Sequence, residues 1–220
     1  MITVWESRLV DSADEAVAAA DALGYPVILK TTSPVLRHQP GLSGVRADLA
    51  GPDVVRTAME SMRSRLGPIA EGSFLVQKMA PPGVSCVLSS VEDPLFGPVV
   101  SFGISGPLTE LLADKAYRIP PLTEHDARAM TREIKSSPML FGYRGSEVVD
   151  VDRIEELILL VARLKNDLPQ LHSVELPLVL AGKNAATVLT ASARVEPVSD
   201  ARSDWFVRRL NVHPGDTLPD

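Results

Sequence analysis

Two basic side chains stand where a folded chain could use them for chemistry on anions or phosphoryl groups. Lys30 ends an apolar run that begins at Pro26. As the last residue of a strand it would emerge at the mouth of a cleft, although a lysine that only reaches back to water fits the same pattern. His38 lies in a loop punctuated by proline and glycine. An imidazole there can act as a nucleophile or proton carrier, or can simply be solvated.

Glycine-containing turns offer two further candidate anion sites. Gly103 and Gly106 follow a predicted strand and precede a predicted helix. Backbone N–H groups at such a turn could cradle an anion, but glycine at a turn can also meet a purely backbone need. Arg144 stands between Gly142 and Gly145, where it could approach phosphate, pair with a carboxylate or hold a packed loop together.

Composition excludes several other classes of function. The chain has 220 residues, 45% of them hydrophobic, and a net charge of −6, which argues against a nucleic-acid surface. No segment is long and apolar enough to span a bilayer, and the amino terminus lacks a signal-peptide pattern. Cys86 is the only cysteine and is predicted to be a buried structural thiol. A reducing cytoplasm is expected, with no membrane or nucleic-acid partner. The histidines other than His38 lack the spacing of zinc ligands; they are His125, His172 and His213.

Helices and strands alternate along the chain in a way that predicts an α+β (α/β) fold with two lobes. A capping box of Ser12 and Glu15 predicts the start of a helix that ends at Gly24. Later helices are predicted to begin at Pro52, after Thr123 and at Asp152. Strands are predicted over residues 26–30, 44–49, 74–79, 84–91, 98–102, 174–180 and 186–195.

Several of these segments, in this order, resemble the ATP-grasp domain of the ADP-forming (NDP-forming) acyl-CoA and acetyl-CoA synthetases, which are related to the β subunit of succinyl-CoA synthetase. The matching segments are residues 24–30, 33–38, 76–79, 93–103, 114–118 with 121–122, and 142–145. The resemblance implies an ATP-grasp fold over residues 2–195, with lobes of about 2–80 and 81–195 and mixed sheets flanked by helices. Residues 196–220 would form a C-terminal extension.

The resemblance also implies a reaction. In that family ATP, a carboxylate and CoA give acyl-CoA, ADP and phosphate, through an acyl phosphate and a phosphohistidine, with magnesium bridging the nucleotide phosphates. His38 would carry the phosphoryl group and Asp114 would be a metal ligand. The residues that would bind ATP or ADP are Lys30, Gly103, Gly106, Arg118, Arg144 and the interlobe hinge of Gln77, Lys78 and Met79, whose backbone would contact the adenine.

Acidic residues that the family usually carries are replaced in this chain. Ser85 and Ser192 stand where acids are usual, and Gln39-Pro40 follows His38 without the usual acid. Counting back from Pro177 places Val174 and Leu176 where the family has an acid and an asparagine. Glu175 is the nearest remaining acid, and strand alternation would point it away from Val174 and Leu176. These losses predict a poor magnesium site and weak or absent phosphoryl transfer.

Two functions follow from this pattern of matches and losses. The chain is either the nucleotide-binding part of an acyl-CoA synthetase or a non-catalytic regulatory domain that binds nucleotide, acyl-CoA or a partner domain. In both cases it is expected to be a fragment of a longer protein. A CoA-binding domain or subunit of that protein is then the expected partner, together with a small-molecule carboxylate or acyl phosphate.

Overall fold

The computed structural model describes residues 2–33, 44–67, 74–106, 109 and 111–197. The chain divides into two compact units, one of Trp5–Ala80 and one of Met1–Val4 with Pro81–Asp220. Each unit contains one sheet with helices packed on one of its faces. The opposite face of each sheet is called its open face below. No helix in these described ranges is long and apolar enough to cross a membrane.

The N-terminal unit is a four-stranded antiparallel sheet covered by two helices. Its strands have the order β1-β4-β2-β3. In chain order the elements are β1 (Ser7–Val10), α1 (Ala13–Leu23), β2 (Val27–Thr31), β3 (Val45–Leu49), α2 (Pro52–Leu66) and β4 (Phe74–Lys78). The first strand, β1, was not predicted from the sequence.

Local chemistry explains where α1 begins and ends. The Ser12 side chain accepts a hydrogen bond from the Glu15 N–H, as the capping prediction required. The Glu15 carboxylate, however, accepts from the N–H of Asp11, so the reciprocal half of the predicted capping box is wrong. Gly24 ends α1 with φ of 82°, a conformation that favours glycine.

Strand alternation separates the two faces of the N-terminal sheet. Val27 and Leu29 of β2 are fully buried in a cluster with the alanine-rich face of α1 and the methionines of α2. Ile28 and Lys30, between and beyond them, therefore face the open side. The same alternation along β4 buries Val76 and turns Gln77 to the open face.

The C-terminal unit is a five-stranded antiparallel sheet in the order β7-β6-β5-β8-β9. Its main helices are α3 (Glu124–Glu133) and α4 (Val151–Asp167), and its short 3₁₀ segments are Ser137–Leu140 and Tyr143–Gly145. The strands are β5 (Val84–Asp93), β6 (Gly97–Ile104), β7 (Lys115–Arg118), β8 (Leu171–Ala181) and β9 (Ala186–Val195). These elements confirm the α+β class.

Several sequence predictions about this unit are confirmed and one is corrected. Thr123 and Asp126 form a complete capping box at the start of α3. Cys86 is buried in the core, where burial raises the pKa of its thiol to about 12, so it is the structural thiol that was expected. The strand predicted over residues 84–91 extends to Asp93, which pairs with Gly97, so the β5–β6 turn falls at residues 94–96. The Asp93 carboxylate accepts from two N–H groups of that turn.

A buried ion pair joins α4 to the end of β5. The Lys165 ammonium lies 2.7 Å from the Glu92 carboxylate, and the Lys165 side chain is 1% exposed. It also donates to the carbonyl of Leu171, the first residue of β8. Removing one partner of such a pair leaves an uncompensated charge away from water.

Replacing this lysine should be costly. We expect Lys165→Met to lower the free energy of unfolding by about 3 kcal/mol, because it strands the Glu92 carboxylate. The exposed pair of Lys183 and Glu147, at 3.4 Å, supplies the control, and Lys183→Met should cost less than about 1 kcal/mol. Urea denaturation of the three proteins measures both values. Equal losses for the two variants would contradict the assigned role of the buried pair.

Candidate functional site

Lys30 and Gln77 form the central polar contact on the open face of the N-terminal sheet. The Lys30 ammonium donates to Oε1 of Gln77 over 2.7 Å. Burial lowers the pKa of Lys30, because a charged amine loses hydration there. The partner is a neutral amide, and no described carboxylate lies within ion-pair distance of this ammonium. Its positive charge is therefore available to an anion.

The predicted hinge uses its backbone groups within the N-terminal unit. The carbonyl of Lys78 accepts from the indole N–H of Trp5 over 2.9 Å, and the N–H of Met79 donates to the carbonyl of Pro26. The Lys78 side chain follows the helix-facing alternation of β4, and its ammonium lies near Gly24 at the end of α1. The structure therefore does not bring the Lys78 ammonium to Lys30.

A row of side-chain oxygens crosses the open face of the C-terminal sheet. Directly paired residues of adjacent antiparallel strands point to the same face. The pairing runs from Tyr117 on β7 to Ser101, Ser89, Glu175 and finally Ser192 on β9. The hydroxyls of Ser89 and Ser101 lie 2.8 Å apart. We call these five residues the oxygen row; its one carboxylate is Glu175.

A groove of about 880 Å³ continues from one end of the oxygen row over β5, β6 and β7. Its apolar lining includes Phe96, Ile119 and Leu122. Lys115 also lines it, next to Tyr117 along the same strand. Its other charged lining residues are Arg118, Glu92, Asp93 and Asp126. The groove therefore combines an apolar wall with charges of both signs close to the row of oxygens.

Gly103 lies inside β6, paired with Val87 and Lys115, so its predicted position in a strand-to-helix turn is wrong. A Cβ atom at Gly103 would lie 2.9 Å from the Asp114 carbonyl and 3.1 Å from Cγ of Lys115. Glycine is therefore required because the neighbouring strand and the Lys115 side chain approach closely. The carbonyl of Gly106 accepts from the Thr109 hydroxyl.

The two predicted anion-binding arginines have different surroundings. Arg118 forms two parallel hydrogen bonds with the Glu133 carboxylate, at 2.8 and 2.6 Å, and these bonds raise the pKa of the Arg118 guanidinium. Its charge is thus compensated by α3. Arg144 is exposed at φ of 53°, with its guanidinium 5.4 Å from the Tyr143 ring centroid. Both arginines belong to the C-terminal unit, whereas Lys30 belongs to the N-terminal unit.

Asp114, the predicted metal ligand, is a buried hydrogen-bond acceptor between β7 and the segment after α3. Its two oxygens accept from the N–H groups of Lys135 and Ser136 and from the Ser136 hydroxyl, at 2.5–2.8 Å. Burial alone would raise the pKa of the carboxyl group, but these hydrogen bonds outweigh burial and lower it. The contacts give Asp114 a structural role in the described chain.

The structure shows which face of the sheet is occupied by residues that stand where the family usually has an acid or an asparagine. Val174 and Leu176 are buried beneath the helices, and Glu175 is exposed on the open face. The expectation that Glu175 points away from Val174 and Leu176 is confirmed. Their apolar side chains therefore occupy core positions. Within the ranges that the structure describes, no three His, Cys, Asp or Glu side chains cluster closely enough to hold a metal ion.

His38 lies outside the described residues, as do Gln39 and Pro40, so its predicted role stays a prediction. Sequence reasoning singled out Ser192 as a replaced acid but did not predict its alignment with Tyr117, Ser101 and Ser89, and it did not propose Lys115 as a site residue. Alternation within each strand gives the face of each residue, but only the pairing register aligns residues from five strands.

A protein-family model described as an ATP-grasp domain matches residues 1–195. The beta subunit of ADP-forming acetate–CoA ligase I of Pyrococcus furiosus is 30% identical over 194 residues, which are 86% of this chain and 84% of that subunit. The beta subunit of ligase II from the same organism is 36% identical over 171 residues, or 76% of this chain and 72% of the subunit.

Longer proteins and a solved structure give consistent matches. ADP-forming acetate–CoA ligase I of Archaeoglobus fulgidus is 35% identical over 166 residues, but this chain covers 24% of its length. A structure of acetyl-coenzyme A synthetase 1 from Candidatus Korarchaeum cryptofilum, in complex with coenzyme A, Ca-AMPCP and HgCl⁺, matches with a TM-score of 0.80. It is 35% identical, and the match covers 89% of this chain and 87% of that one.

The contacts of Asp114 predict a pH-dependent contribution to stability. The folded-state pKa of Asp114 is depressed, so its stabilisation is present above the unfolded value of about 3.9 and is lost as pH falls through the folded pKa. Asp114→Asn should cost about 1–3 kcal/mol at neutral pH, because an amide N–H would then face N–H donors. Urea denaturation at several pH values should show this difference shrinking below about pH 4. The exposed Glu60→Gln is the control. A difference that stays constant between neutral pH and about pH 3 would contradict the assignment.

Proposed function

We propose, since the chain belongs to the ATP-grasp domain family, that it binds ATP or ADP within an ADP-forming acyl-CoA synthetase-like protein and that its own phosphoryl transfer is weak or absent. The observation that carries the binding proposal is the Lys30 ammonium, which is half-buried on an open sheet face and bonded to a neutral amide. A charge held this way interacts strongly with phosphate oxygens, because little water screens it.

Surrounding groups limit what else contributes to nucleotide binding. Trp5 and Pro26 already engage the backbone groups of Lys78 and Met79, which leaves the second lone pair of the Lys78 carbonyl for an adenine amino group. Arg118 is held by Glu133, so its charge contributes less. We therefore assign the main phosphate contact of the N-terminal unit to Lys30.

The weakness of phosphoryl transfer is proposed from the open face of the C-terminal sheet. Magnesium at such sites is held by one or two carboxylates together with the nucleotide phosphates. The oxygen row offers only the lower of these numbers, Glu175 alone, between the neutral hydroxyls of Ser89 and Ser192. Ser85 lies four residues before Ser89 in β5 and therefore on the same face of the sheet. Magnesium would then be held mainly by the phosphates, with little added stabilisation of the charge that develops during transfer.

The wider reaction belongs to the whole protein. The Pyrococcus relatives are named as beta subunits of acetate–CoA ligases, and the Korarchaeum structure contains coenzyme A and a nucleotide analogue. By analogy, a CoA-binding domain or subunit would act with this chain on a small carboxylate or acyl phosphate. A non-catalytic, regulatory use of nucleotide binding is the second candidate, favoured by the single carboxylate in the oxygen row.

Lys30→Met tests the binding proposal. The ATP dissociation constant should rise more than about tenfold, since a charge-assisted contact contributes about 1.5–3 kcal/mol. The melting temperature should change little, because removal of a desolvated charge offsets the loss of the hydrogen bond to the buried Gln77 amide. Calorimetric titration and thermal denaturation measure the two effects. The exposed Lys135→Met controls for net charge. An unchanged ATP affinity in Lys30→Met would rule out the proposed phosphate contact.

Phosphoryl transfer is tested separately at His38. Incubation with magnesium and γ-labelled ATP should give no acid-labile label above the background of a His38→Ala variant, because metal-assisted charge neutralisation is weak. Label that is present in the natural chain and absent from His38→Ala would show that the domain is catalytically competent. That result would leave the binding proposal intact.

A further inference from the structure

Gln77 connects three separate parts of the N-terminal unit through one buried side chain. It is 1% exposed. Its Oε1 accepts from the Lys30 ammonium over 2.7 Å, and its Nε2 donates to the backbone carbonyl of Trp5 over 3.2 Å. The side chain therefore links β4 to β2 on one side and to the segment before β1 on the other.

Strand pairing explains why Gln77 and Lys30 meet. Gln77 is paired with Ile28, and Lys30 is paired with Leu75, so Gln77 and Lys30 are diagonal neighbours on the same face. Diagonal neighbours in an antiparallel pair lie about 7–8 Å apart, which long side chains can span. A slip of one residue would turn one of them to the helix-covered face and break the contact.

Its two partners fix the orientation of the Gln77 amide. Lysine offers only N–H donors and a backbone carbonyl only accepts. Rotating the amide by half a turn would set N–H groups against the ammonium and oxygen against the Trp5 carbonyl. Both contacts would be repulsive and buried. The Gln77 oxygen is thus held toward Lys30 by an interaction that does not involve Lys30.

We propose that Gln77 is the positioning residue for Lys30: it occupies one of three ammonium donors, holds the group on the open face, and leaves the positive charge uncompensated for a nucleotide polyphosphate. The inference rests on the proposed phosphate contact of Lys30. A glutamate at this position would keep the shape and supply a negative charge, which would neutralise the ammonium before any phosphate arrived. Nucleotides with two or three phosphates would lose most by that change, since their recognition depends on net charge.

A second hydrogen bond between the Trp5 segment and β4 lies next to this contact. The Trp5 indole N–H donates to the carbonyl of Lys78, the residue that follows Gln77. The segment that supplies the carbonyl for the Gln77 amide is therefore itself tied to β4. Trp5→Phe removes the indole donor but keeps the Trp5 backbone carbonyl. It therefore separates the effect of the indole hydrogen bond from the effect of the Gln77 side-chain amide.

The experiment compares the natural chain with Gln77→Glu, Gln77→Met and Trp5→Phe. The first readout is the pH titration of the Lys30 side chain, followed by NMR in the protein without nucleotide. Burial lowers the pKa of Lys30 in the natural chain. Gln77→Glu should raise this pKa by about one pH unit or more, because a carboxylate stabilises the charged amine. Gln77→Met should not raise it, and Trp5→Phe should leave it close to the natural value.

The second readout is ATP affinity as a function of pH. Binding needs charged Lys30, so affinity should fall as pH rises through the lowered pKa of Lys30. Gln77→Glu should bind ATP at least about tenfold more weakly at neutral pH, and its remaining affinity should persist to higher pH. Gln77→Met should weaken ATP binding without raising the pH at which the affinity falls. If Gln77 were only a structural residue, both variants would have a lower melting temperature, and the pH at which ATP affinity falls would not change.

These outcomes separate failure of the inference from failure of the proposed function. If Lys30 titrates at the same pH in the natural chain, Gln77→Glu and Gln77→Met, Gln77 does not position it and the inference is overturned. If the Lys30 pKa rises in Gln77→Glu but Lys30→Met binds ATP normally, the side-chain contact stands and the phosphate assignment fails.

Discussion

The hydrogen bond from the Lys30 ammonium to the Gln77 amide joins the two central strands of the N-terminal sheet where a charge meets an open face. A half-buried ammonium needs a partner, because desolvation penalises its charged form. A carboxylate would satisfy that need but would also neutralise the charge. The neutral amide satisfies one donor and keeps the charge, and the antiparallel register of β2 and β4 makes this choice of partner effective.

Both sheets follow the same physical plan. Each buries one face beneath two helices and leaves the other face for polar groups. In the C-terminal unit, alternation buries Val174 and Leu176 and turns Glu175 outward. Pairing across the five strands then aligns hydroxyls on both sides of Glu175. The oxygen row thus presents neutral oxygens and a single acid, whereas a strong metal site would need more negative charge.

The sequence predicted most of the elements and some of the site. Apolar alternation and capping residues were sufficient for α1, α2, α3 and most strands. Lys30 was a candidate from its place at the end of an apolar run, and its phosphate-binding role was predicted from the resemblance to the ATP-grasp family. The polar partner of Lys30 could not be predicted, because Gln77 was considered for its backbone and the diagonal contact depends on register. Gly103 was misplaced since β6 runs through it. Asp114 was predicted to be a metal ligand, but folding gives its carboxylate three hydrogen-bond donors.

Calorimetric titration of the purified chain with ATP, once with magnesium and once with a chelator, tests the central claim most directly. The claim is that Lys30 supplies the main phosphate contact and that Glu175 is the lone carboxylate of the oxygen row. ATP should then bind in both conditions, with dissociation constants within about threefold of each other. This corresponds to a difference in binding free energy of less than about 1 kcal/mol. Binding that requires magnesium, or that strengthens by more than about tenfold with it, would contradict the claim. It would mean that the chain retains a metal centre of its own.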